Sequence, residues 1–395
     1  MNPQVFSMIK KFLLGLKRVI RQNLELSELA FFMLLRQRGR ANDRVLVIQN
    51  SHLGDFVLSI TFFQRLQKHY QRKLVLVSDG GMKDLAMASG LFEDFIALDM
   101  KKASSLKHSL YRWKKLFQLR KISAAAVVQL FSVGATDLED CIASVIAAPE
   151  KYGMVNGVYS SQRWGKRYKW LRRKIFTQVH EYDATVSLLA NEKRFSDLIC
   201  GESGSVDTGG LNMFDPLPPK DVSWGDYLLL IPGSNDVRRR WEAEKFAVLT
   251  ARAVRKYQLK VVISGSPDEA AAVQSCYDAL PCDVKKCVLL RQPQVDKLSS
   301  LKQLMSDVKH AALVITNDTG PLHLAARFHV RTFCITGGWH WGVFSPCAEY
   351  KNVCFIHHKM ECYGCGGSCK YRSIPFKCLQ ELSAEAAADA VGLEE

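Results

Sequence analysis

The apolar positions of the chain follow the same alternation of strand and helix twice. From Arg44, the buried run RVLVIQ precedes the amphipathic stretch GDFVLSITFFQRLQKHY and a second apolar run, KLVLVS. After residue 225 the alternation restarts with YLLLIPG, EAEKFAVLTARAVRKY and KVVISGS. Short apolar runs that alternate with amphipathic helices are typical of parallel sheets with crossover helices. The pattern therefore predicts two similar α/β domains, with a ligand expected in the cleft between them.

The 395 residues exceed what one hydrophobic core usually serves, which also favours two domains. Residues 201–225 are rich in Gly, Pro and Ser, and we predict an interdomain linker there. The predicted segments are a basic amphipathic helical extension (1–43), an N-terminal acceptor domain (44–200), the linker, and a C-terminal donor domain (226–395). Packing of the final helix back on the N-terminal domain is left open.

The N-terminal extension is predicted to be helical over residues 5–38. Apolar residues recur at steps of three and four, with lysine and arginine on the other faces; they are Phe6, Ile9, Leu13, Leu16 and Ile20. This pattern fits either a helix lying on anionic lipid or an ordinary helix packed on the next domain. No apolar run reaches the roughly 18–20 residues that a membrane span needs.

Positive charge is concentrated in the first half of the chain. The net charge is +15, and residues 1–215 hold 32 Lys and Arg against 20 Asp and Glu. Residues 101–121 hold eight basic residues and no acid, and residues 161–174 hold seven and no acid. A negatively charged partner is expected. Nucleic acid is disfavoured because the basic blocks lack an aromatic platform or a recognisable binding module.

The stretch VITNDTGPLHLAA, residues 314–326, places a polar turn between a buried strand and a helix. Thr319 is expected to cap the helix, with Pro321 in the first turn. Gly320 allows close approach of a ligand, and the positive helix end suits a phosphate. His323 follows one turn later. Asp318 is interpreted as a helix cap or as a contact to sugar hydroxyls.

Two further turns at predicted strand ends carry candidate donor-binding residues. In LLLIPGSNDVRRRWEAEKF, Ser234 can donate to a phosphate, and Arg238–Arg240 place three guanidinium groups beside the turn. In SGSPDE, residues 264–269, Glu269 is a candidate to hold a ribose.

The stretch VIQNSHLGDFVLS, residues 47–59, follows the first predicted strand. Gly54 provides the tight turn, and His52 and Gly54 are placed on the acceptor side. Asp55 begins the helix, where a carboxylate is either a helix cap or a general base that takes a proton from an acceptor hydroxyl.

Four blocks, in order, resemble glycosyltransferase family 9, the heptosyltransferase-like enzymes of lipopolysaccharide assembly. They are RVLVIQNSHLGDFVLS, IPGSNDVRRRWEAEKF, VVISGSPDEAAAV and LVITNDTGPLHLAA. The resemblance implies a GT-B architecture of two Rossmann-like domains. It also implies metal-independent, inverting transfer of a heptose from ADP-heptose to a lipid A–Kdo or inner-core acceptor. In this chain, Arg239 stands where the family usually has lysine, and SITFF replaces a common proline after the first helix start.

The resemblance assigns roles to individual residues. Asp55 matches the family's catalytic base, and the donor contacts fall on Ser234, Arg239, Asp318, Thr319, Gly320 and His323. It implies a nucleotide-sugar donor, an anionic glycolipid acceptor, no required cofactor, and a location at the cytoplasmic face of the inner membrane. The alternative is a catalytically inactive, nucleotide-sugar- or phosphate-binding membrane-associated protein of the same fold.

Four cysteines near the C-terminus form a separate candidate site. Cys362, Cys365, Cys369 and Cys378 have a spacing that fits either a structural zinc site or free, redox-active thiols. No metal is expected in catalysis. With 12 cysteines and no secretory signal, the thiols are expected to be reduced.

Overall fold

The structure is a computed structural model of the chain. It describes residues 19–20, 23–35, 42–50, 52–130, 137–155, 170–201, 203, 210–292, 294, 296–371, 373–374 and 376–394. The chain forms two compact units. The first comprises Met1–Ser51, Phe63–Asp183 and Arg194–Ser203, and the second comprises His52–Phe62, Ala184–Lys193 and Gly204–Glu395.

The first unit is built on a six-stranded parallel sheet. Its strands are β1 (Val45–Ile48), β2 (Leu74–Asp79), β3 (Phe92–Leu98), β4 (Ala126–Gln129), β5 (Glu150–Val155) and β6 (Gln178–Glu181). Their spatial order is β3-β2-β1-β4-β5-β6. The central strand β1 is buried along its whole length and pairs Val45 with Leu74 on one side and with Ala126 on the other. Such apolar strands are typical of a sheet covered on both faces.

The helices described in the first half of the chain follow in order. They are α1 (23–34), α2 (Leu53–Leu58), α3 (Ile60–Tyr70), α4 (Lys83–Ala88), α5 (Met100–Ala103), α6 (Ser109–Leu119), α7 (Asp137–Val145), α8 (170–175) and α9 (Leu188–Cys200). Leu29 and Phe32 of α1 are fully buried in the core of the first unit. Of the helix predicted over 5–38, only these central turns and residues 19–20 are described as helical, and Phe6, Ile9, Leu13 and Leu16 lie outside the described residues.

The second unit repeats the architecture. Its strands are β7 (Tyr227–Ile231), β8 (Lys260–Ile263), β9 (Val288–Leu290), β10 (Leu313–Asn317), β11 (Thr332–Ile335) and β12 (Val353–Ile356). They form a parallel sheet in the order β12-β11-β10-β7-β8-β9, in which Leu313 pairs with Leu228. Two parallel six-stranded sheets with helices confirm the predicted α/β class.

The helices of the second half are α10 (Ala243–Tyr257), α11 (Ala270–Ala279), α12 (Cys282–Lys285), α13 (Lys297–Lys309), α14 (Gly320–Arg327), α15 (Lys377–Gln380) and α16 (Ala384–Asp389). Helix α10 ends where Gln258 adopts the left-handed conformation, which closes its last turn. The sequence left open whether the final helix packs back on the N-terminal domain. In the structure, α16 buries Ala387 and Ala388 in the core of the second unit.

Two short segments from earlier in the chain belong to the second unit. Residues 52–62 bring α2 against α14, and residues 184–193 bring the first turns of α9. The predicted linker is described only in part, from residue 210 onward and at 201 and 203. Among the residues that the structure describes, no helix is long and apolar enough to cross a membrane.

Candidate active site

The turn between β10 and α14 is fixed by Asn317, the last residue of the strand. Its amide nitrogen donates to the carbonyl of Pro232 at 2.7 Å, and its amide oxygen accepts from the backbone N–H of Trp241 at 3.1 Å. Asn317 is fully buried, so both halves of its amide group are satisfied by the turn that follows β7. One side chain therefore holds the two strand-end turns in register.

Asp318 does not cap α14. Its carboxylate accepts from the hydroxyl of Ser345 at 2.9 Å and from that of Thr336 at 3.3 Å. Thr319 occupies the N-cap position in an extended conformation but makes no side-chain cap; its hydroxyl donates weakly to the Asn317 carbonyl at 3.4 Å. The interpretation of Asp318 as a helix cap was wrong, because its carboxylate accepts hydrogen bonds from hydroxyl groups of two other loops.

Arg239 is the arginine that reaches this turn. It ends a single 3-10 turn, Val237–Arg239, and its guanidinium donates to the backbone carbonyl of Asp318 at 2.5 Å. Arg238 instead pairs with Asp236 at 2.6 Å and lies over the ring of Trp339. The three adjacent arginines are therefore not equivalent.

The third arginine and Ser234 complete the turn after β7. Arg240 donates to the carbonyl of Ser234 at 2.9 Å, and Ser234 is buried. Glu269 approaches from the turn after β8, where its carboxylate accepts from both the N–H and the hydroxyl of Ser266 at 2.8 Å. A Cβ added to Gly233 would collide with this carboxylate, so the Glu269 side chain packs directly against Gly233 where the two turns meet.

The first turns of α2 and α14 meet at two glycines. A Cβ on Gly54 would lie 2.9 Å from Cδ2 of His323, and one on Gly320 would lie 3.1 Å from Cδ2 of Leu53. Real Cβ atoms do not come as close as the first distance, so the contact depends on glycine at 54. The structure thereby brings Asp55 of α2 to the same place as α14 and Arg239.

Asp55 is half-buried, and its side chain points back to the start of its own helix. Its carboxylate accepts from the backbone N–H of His52, the exposed N-cap residue, at 2.9 Å. Burial raises the pKa of Asp55, while the His52 N–H and the charges of His52 and Arg239 oppose the rise. A carboxylate with a raised pKa is better suited to accept a proton near neutral pH.

His323 is a neutral, buried side chain. Burial lowers its pKa to about 4, helped by Arg239 and Arg327 and opposed by Asp318. Its Nδ1 lies 3.0 Å from the hydroxyl oxygen of Tyr350. His340 is similar, because burial and Arg239 lower its pKa to about 4. Neither imidazole supplies a positive charge at neutral pH.

Behind Asp55 lies a buried carboxyl group that the sequence reasoning missed. The hydroxyl of Ser59 donates to Oε1 of Glu192 at 2.7 Å, and Glu192 is buried. Burial raises the pKa of Glu192 to about 8, and the negative charge of Asp55 adds to the rise, while Ser59 and Arg327 oppose it. Arg327, also buried, donates to the hydroxyl of Thr61 at 2.7 Å. The sequence signal was an acid on the buried face of α9, between Leu188 and Phe195.

The zinc prediction gains no support from the structure. Within the described residues, which include all four cysteines near the C-terminus, no group of three or more His, Cys, Asp or Glu side chains is arranged to hold a metal ion. Two of their sulfur atoms accept hydrogen bonds from the backbone: Cys378 from the N–H of Gly338 at 3.4 Å, and Cys369 from that of Phe376 at 3.4 Å. Cys362 and Cys365 complete the predicted set, and all four are free thiols.

Comparison with known proteins finds a family match in the second half of the chain. Residues 213–367, which include β10, α14 and Arg239, match the family model described as glycosyltransferase family 9 (heptosyltransferase). This segment is a glycosyltransferase family 9 domain. One relative of this chain is lipooligosaccharide heptosyltransferase 2 of Campylobacter jejuni. The two are 23% identical over 150 residues, and the match spans 37% of this chain and 44% of the relative.

Solved structures share the fold over nearly the whole chain. The family 9 glycosyl transferase of Veillonella parvula has a TM-score of 0.63 at 19% identity, and the match covers 90% of this chain and 98% of that one. E. coli heptosyltransferase WaaC, solved with ADP-2-deoxy-2-fluoro heptose, has a TM-score of 0.62 at 16% identity and covers 88% of this chain and 99% of its own. At such identities the likeness shows the fold alone, which is of the GT-B type.

Proposed function

We propose that this protein is an inverting, metal-independent glycosyltransferase that moves a sugar from a nucleotide-sugar donor to a lipopolysaccharide-core or lipid A–Kdo type acceptor. Heptose from ADP-heptose is the donor that we favour. The observation that carries the proposal is the convergence of Asp55, Arg239 and the first turn of α14 within one compact unit. The family 9 domain and the E. coli relatives, solved with ADP and with an ADP-linked heptose analogue, support the choice of donor.

The donor pyrophosphate is placed against Arg239, Ser234 and the Thr319–Gly320 turn. The guanidinium provides positive charge, and the N-terminus of the eight-residue helix α14 adds its partial positive charge. Preorganised donors of this kind stabilise the charge that develops on a departing diphosphate. Glu269, with one oxygen engaged by Ser266, offers its other oxygen to the ribose hydroxyls. Asp318 and His323 shape the sugar side of the same turn.

Asp55 is the proposed general base. The acceptor hydroxyl oxygen attacks the anomeric carbon, the bond from that carbon to the pyrophosphate oxygen breaks, and the hydroxyl proton passes to the Asp55 carboxylate. A single displacement of this kind inverts the anomeric configuration. The raised pKa of Asp55 fits the role. Exposed His52 is proposed on the acceptor side, whereas Gly54 packs against His323 of α14.

The acceptor and the location follow from charge. An acceptor with Kdo carboxylates and phosphates is anionic, and the first half of the chain carries most of the +15 net charge. We place the protein at the cytoplasmic face of the inner membrane, where residues 1–40 are a candidate contact.

A nucleotide titration tests the donor assignment. Thermal unfolding is followed with ADP, UDP and GDP and with the corresponding sugar nucleotides, because a ligand that binds only the folded state raises the melting temperature. We expect the largest rise with ADP-heptose and a smaller one with ADP. A larger rise in melting temperature with a UDP- or GDP-sugar would contradict ADP-heptose as the donor. No rise with any of these ligands would contradict the enzyme proposal.

A further inference from the structure

Two helices of the first unit expose apolar residues on their outer faces. On α1, buried Leu29 and Phe32 point into the core, whereas Leu24, Phe31 and Leu34 are exposed. On α6, buried Leu116 and Leu119 point inward, whereas Leu110, Trp113 and Phe117 are exposed. Both outward sets recur at helical spacing, so each helix carries a second apolar stripe opposite the one that it buries.

The two outer stripes are joined into one surface. The rings of Phe31 and Trp113 stack at 5.3 Å with an interplanar angle of 17°, and Phe117 lies 6.4 Å from Trp113. Beneath them, Glu28 of α1 and Arg112 of α6 form a buried ion pair at 2.7 Å. We call the six residues Leu24, Phe31, Leu34, Leu110, Trp113 and Phe117 the α1–α6 face. It is a fixed feature of the fold, because both helices are anchored below it.

Lysines accompany this face. Residues 101–121, which contain α6, hold eight basic residues and no acid. Two of the eight are used internally: Arg112 in the buried ion pair, and Arg120 as a donor to the carbonyl of Leu35 at 2.7 Å. The exposed lysines of the segment are Lys101, Lys102, Lys107, Lys114 and Lys121. Both acids of α1 in the described part of the chain, Glu25 and Glu28, are buried.

Exposed apolar side chains with an aromatic centre, in a segment with several exposed lysines, match the chemistry of an anionic bilayer surface. Apolar residues enter the boundary between head groups and acyl chains, and lysines meet the negative lipid charge. A protein partner would need acidic groups to face the same lysines. A large exposed apolar patch on a monomer also marks an interaction site in general.

We propose that the α1–α6 face docks on the surface of an anionic phospholipid bilayer. The assignment goes beyond the sugar transfer proposed above and does not depend on it, because it rests on the surface of the first unit alone. It sharpens the membrane contact proposed above for residues 1–40, because Leu24, Phe31 and Leu34 lie in that range and the other half of the face lies on α6.

Vesicle binding by the full chain tests the proposal. Co-sedimentation is measured with vesicles of phosphatidylcholine alone and with vesicles containing about one third phosphatidylglycerol. We expect binding to the anionic vesicles and little binding to the neutral ones. Binding should fall markedly at about 0.5 M salt, because salt screens the attraction between the lysines and the anionic head groups. Equal binding to both vesicle types, or none to either, overturns the proposal.

Substitutions at the edges of the face test its position. Leu34 and Leu110 are 86% and 89% exposed, so the double variant Leu34→Ser/Leu110→Ser removes apolar surface with little effect on folding. We expect its partition coefficient on anionic vesicles to fall about tenfold or more. Lys114→Gln/Lys121→Gln is expected to lower it by a similar factor at low salt and to have little effect at high salt. Thermal unfolding of each variant checks the fold.

The matched control is Ile374→Ser/Val248→Ser, which removes two exposed apolar side chains from the second unit and should bind vesicles as the unchanged chain does. Wild-type binding by Leu34→Ser/Leu110→Ser contradicts the proposal. If Phe6→Ser/Leu13→Ser alone abolishes binding, the contact belongs to the N-terminal residues. If Leu34→Ser/Leu110→Ser abolishes a dimer seen by analytical ultracentrifugation and leaves vesicle binding intact, the face belongs to a second copy of the chain. The thermal shift with ADP-heptose is read separately and reports only on the sugar-transfer proposal.

Discussion

The two sheets of this protein have the same topology and carry different chemistry. In each, the first strand in sequence lies third from one edge, between the second and the fourth strands, and every neighbouring pair is parallel. After β1 the chain places a carboxylate, Asp55, in the first turn of α2. After β7 and β10 it places an arginine and a helix N-terminus. A shared backbone plan therefore fixes where functional turns occur, and the turn residues decide what each one does.

The units also differ in how they treat charge. The second unit buries ionisable groups next to one another, including Glu192, Arg327 and His323, and their pKa values shift as a result. The first unit also buries an ion pair, between Glu28 and Arg112, and in addition keeps lysines exposed on α6. Burial shifts the pKa values of ionisable groups and so changes how they exchange protons at a site, whereas exposed charges can attract a charged partner or surface.

Removal of the Asp55 carboxylate should have the largest effect, because it separates proton transfer by Asp55 from donor binding by Arg239 and α14. We expect Asp55→Asn to lower the rate of sugar transfer by about a thousandfold, because general base catalysis contributes on the order of 10²–10⁴. Donor-induced stabilisation should persist, since Arg239 and α14 are unchanged. The control is Asp84→Asn, which alters an exposed carboxylate in the first turn of α4. Transfer within a factor of three of wild type would exclude Asp55 as the base.

Arg239 and Arg238 provide a second test, within one turn. Arg239→Ala should weaken donor binding by about ten- to a hundredfold, because a charge-assisted hydrogen bond to phosphate contributes roughly 1.5–3 kcal/mol. Arg238→Ala is the matched control, since that guanidinium pairs with Asp236. The dissociation constant of ADP is measured by calorimetry. Equal losses in both variants would mean that the basic run acts as a whole.

The glycine contact between α2 and α14 is tested through stability. A methyl group at residue 54 meets His323 at 2.9 Å, so Gly54→Ala should reduce the free energy of unfolding by about 1–3 kcal/mol. Gly80→Ala is the control, because the nearest atom to its added Cβ is 3.9 Å away. Denaturant unfolding with both variants measures the difference. An unchanged Gly54→Ala would show that the two helices can separate at little cost.

The smallest expected effect is the pH dependence that arises from Glu192. Its pKa is raised from 4.5 to about 8 in the folded state, so its contribution to stability is fully present below pH 4.5 and is lost as the pH rises through 8. Glu192→Gln mimics the protonated form. The free energy of unfolding of the variant, relative to wild type, should therefore increase by about 2 kcal/mol between pH 6 and pH 8.

The exposed Glu385→Gln on α16 should show no such trend and is the control for Glu192. A pH-independent difference between Glu192→Gln and wild type would show that Glu192 is ionised throughout this range.

The fold was predictable because short apolar runs in the sequence correspond to its strands. VLVI and LVITN are buried along their whole length, and each ends at a turn whose glycine or proline is visible in the sequence. The position of Asp55 and Arg239 at strand ends was likewise accessible. The roles assigned to them remain proposals.

The partners of the site residues were not predictable, because they come from distant parts of the chain. Ser345 and Thr336 reach Asp318 from separate loops, and Glu192 meets Ser59 across 133 positions. The local sequence around Asp318 offered a cap because Asp often caps helices, and long-range hydrogen bonds decided otherwise. The cysteine spacing left a zinc site and free thiols open, and the described residues show no group arranged to hold a metal ion.

The second unit is not a continuous piece of chain, and this affects how it folds. Arg327 of α14 donates to Thr61 across 266 positions, so a segment synthesised early must wait for the C-terminal sheet before it finds its partners. Contacts of such large sequence separation slow folding, because the entropy of loop closure is lost before the contact forms. The C-terminal half made alone, without residues 52–62 and 184–193, would expose the faces of Gly320 and His323. Folding of the second unit should therefore follow synthesis of the C-terminal sheet, instead of proceeding one half at a time during synthesis.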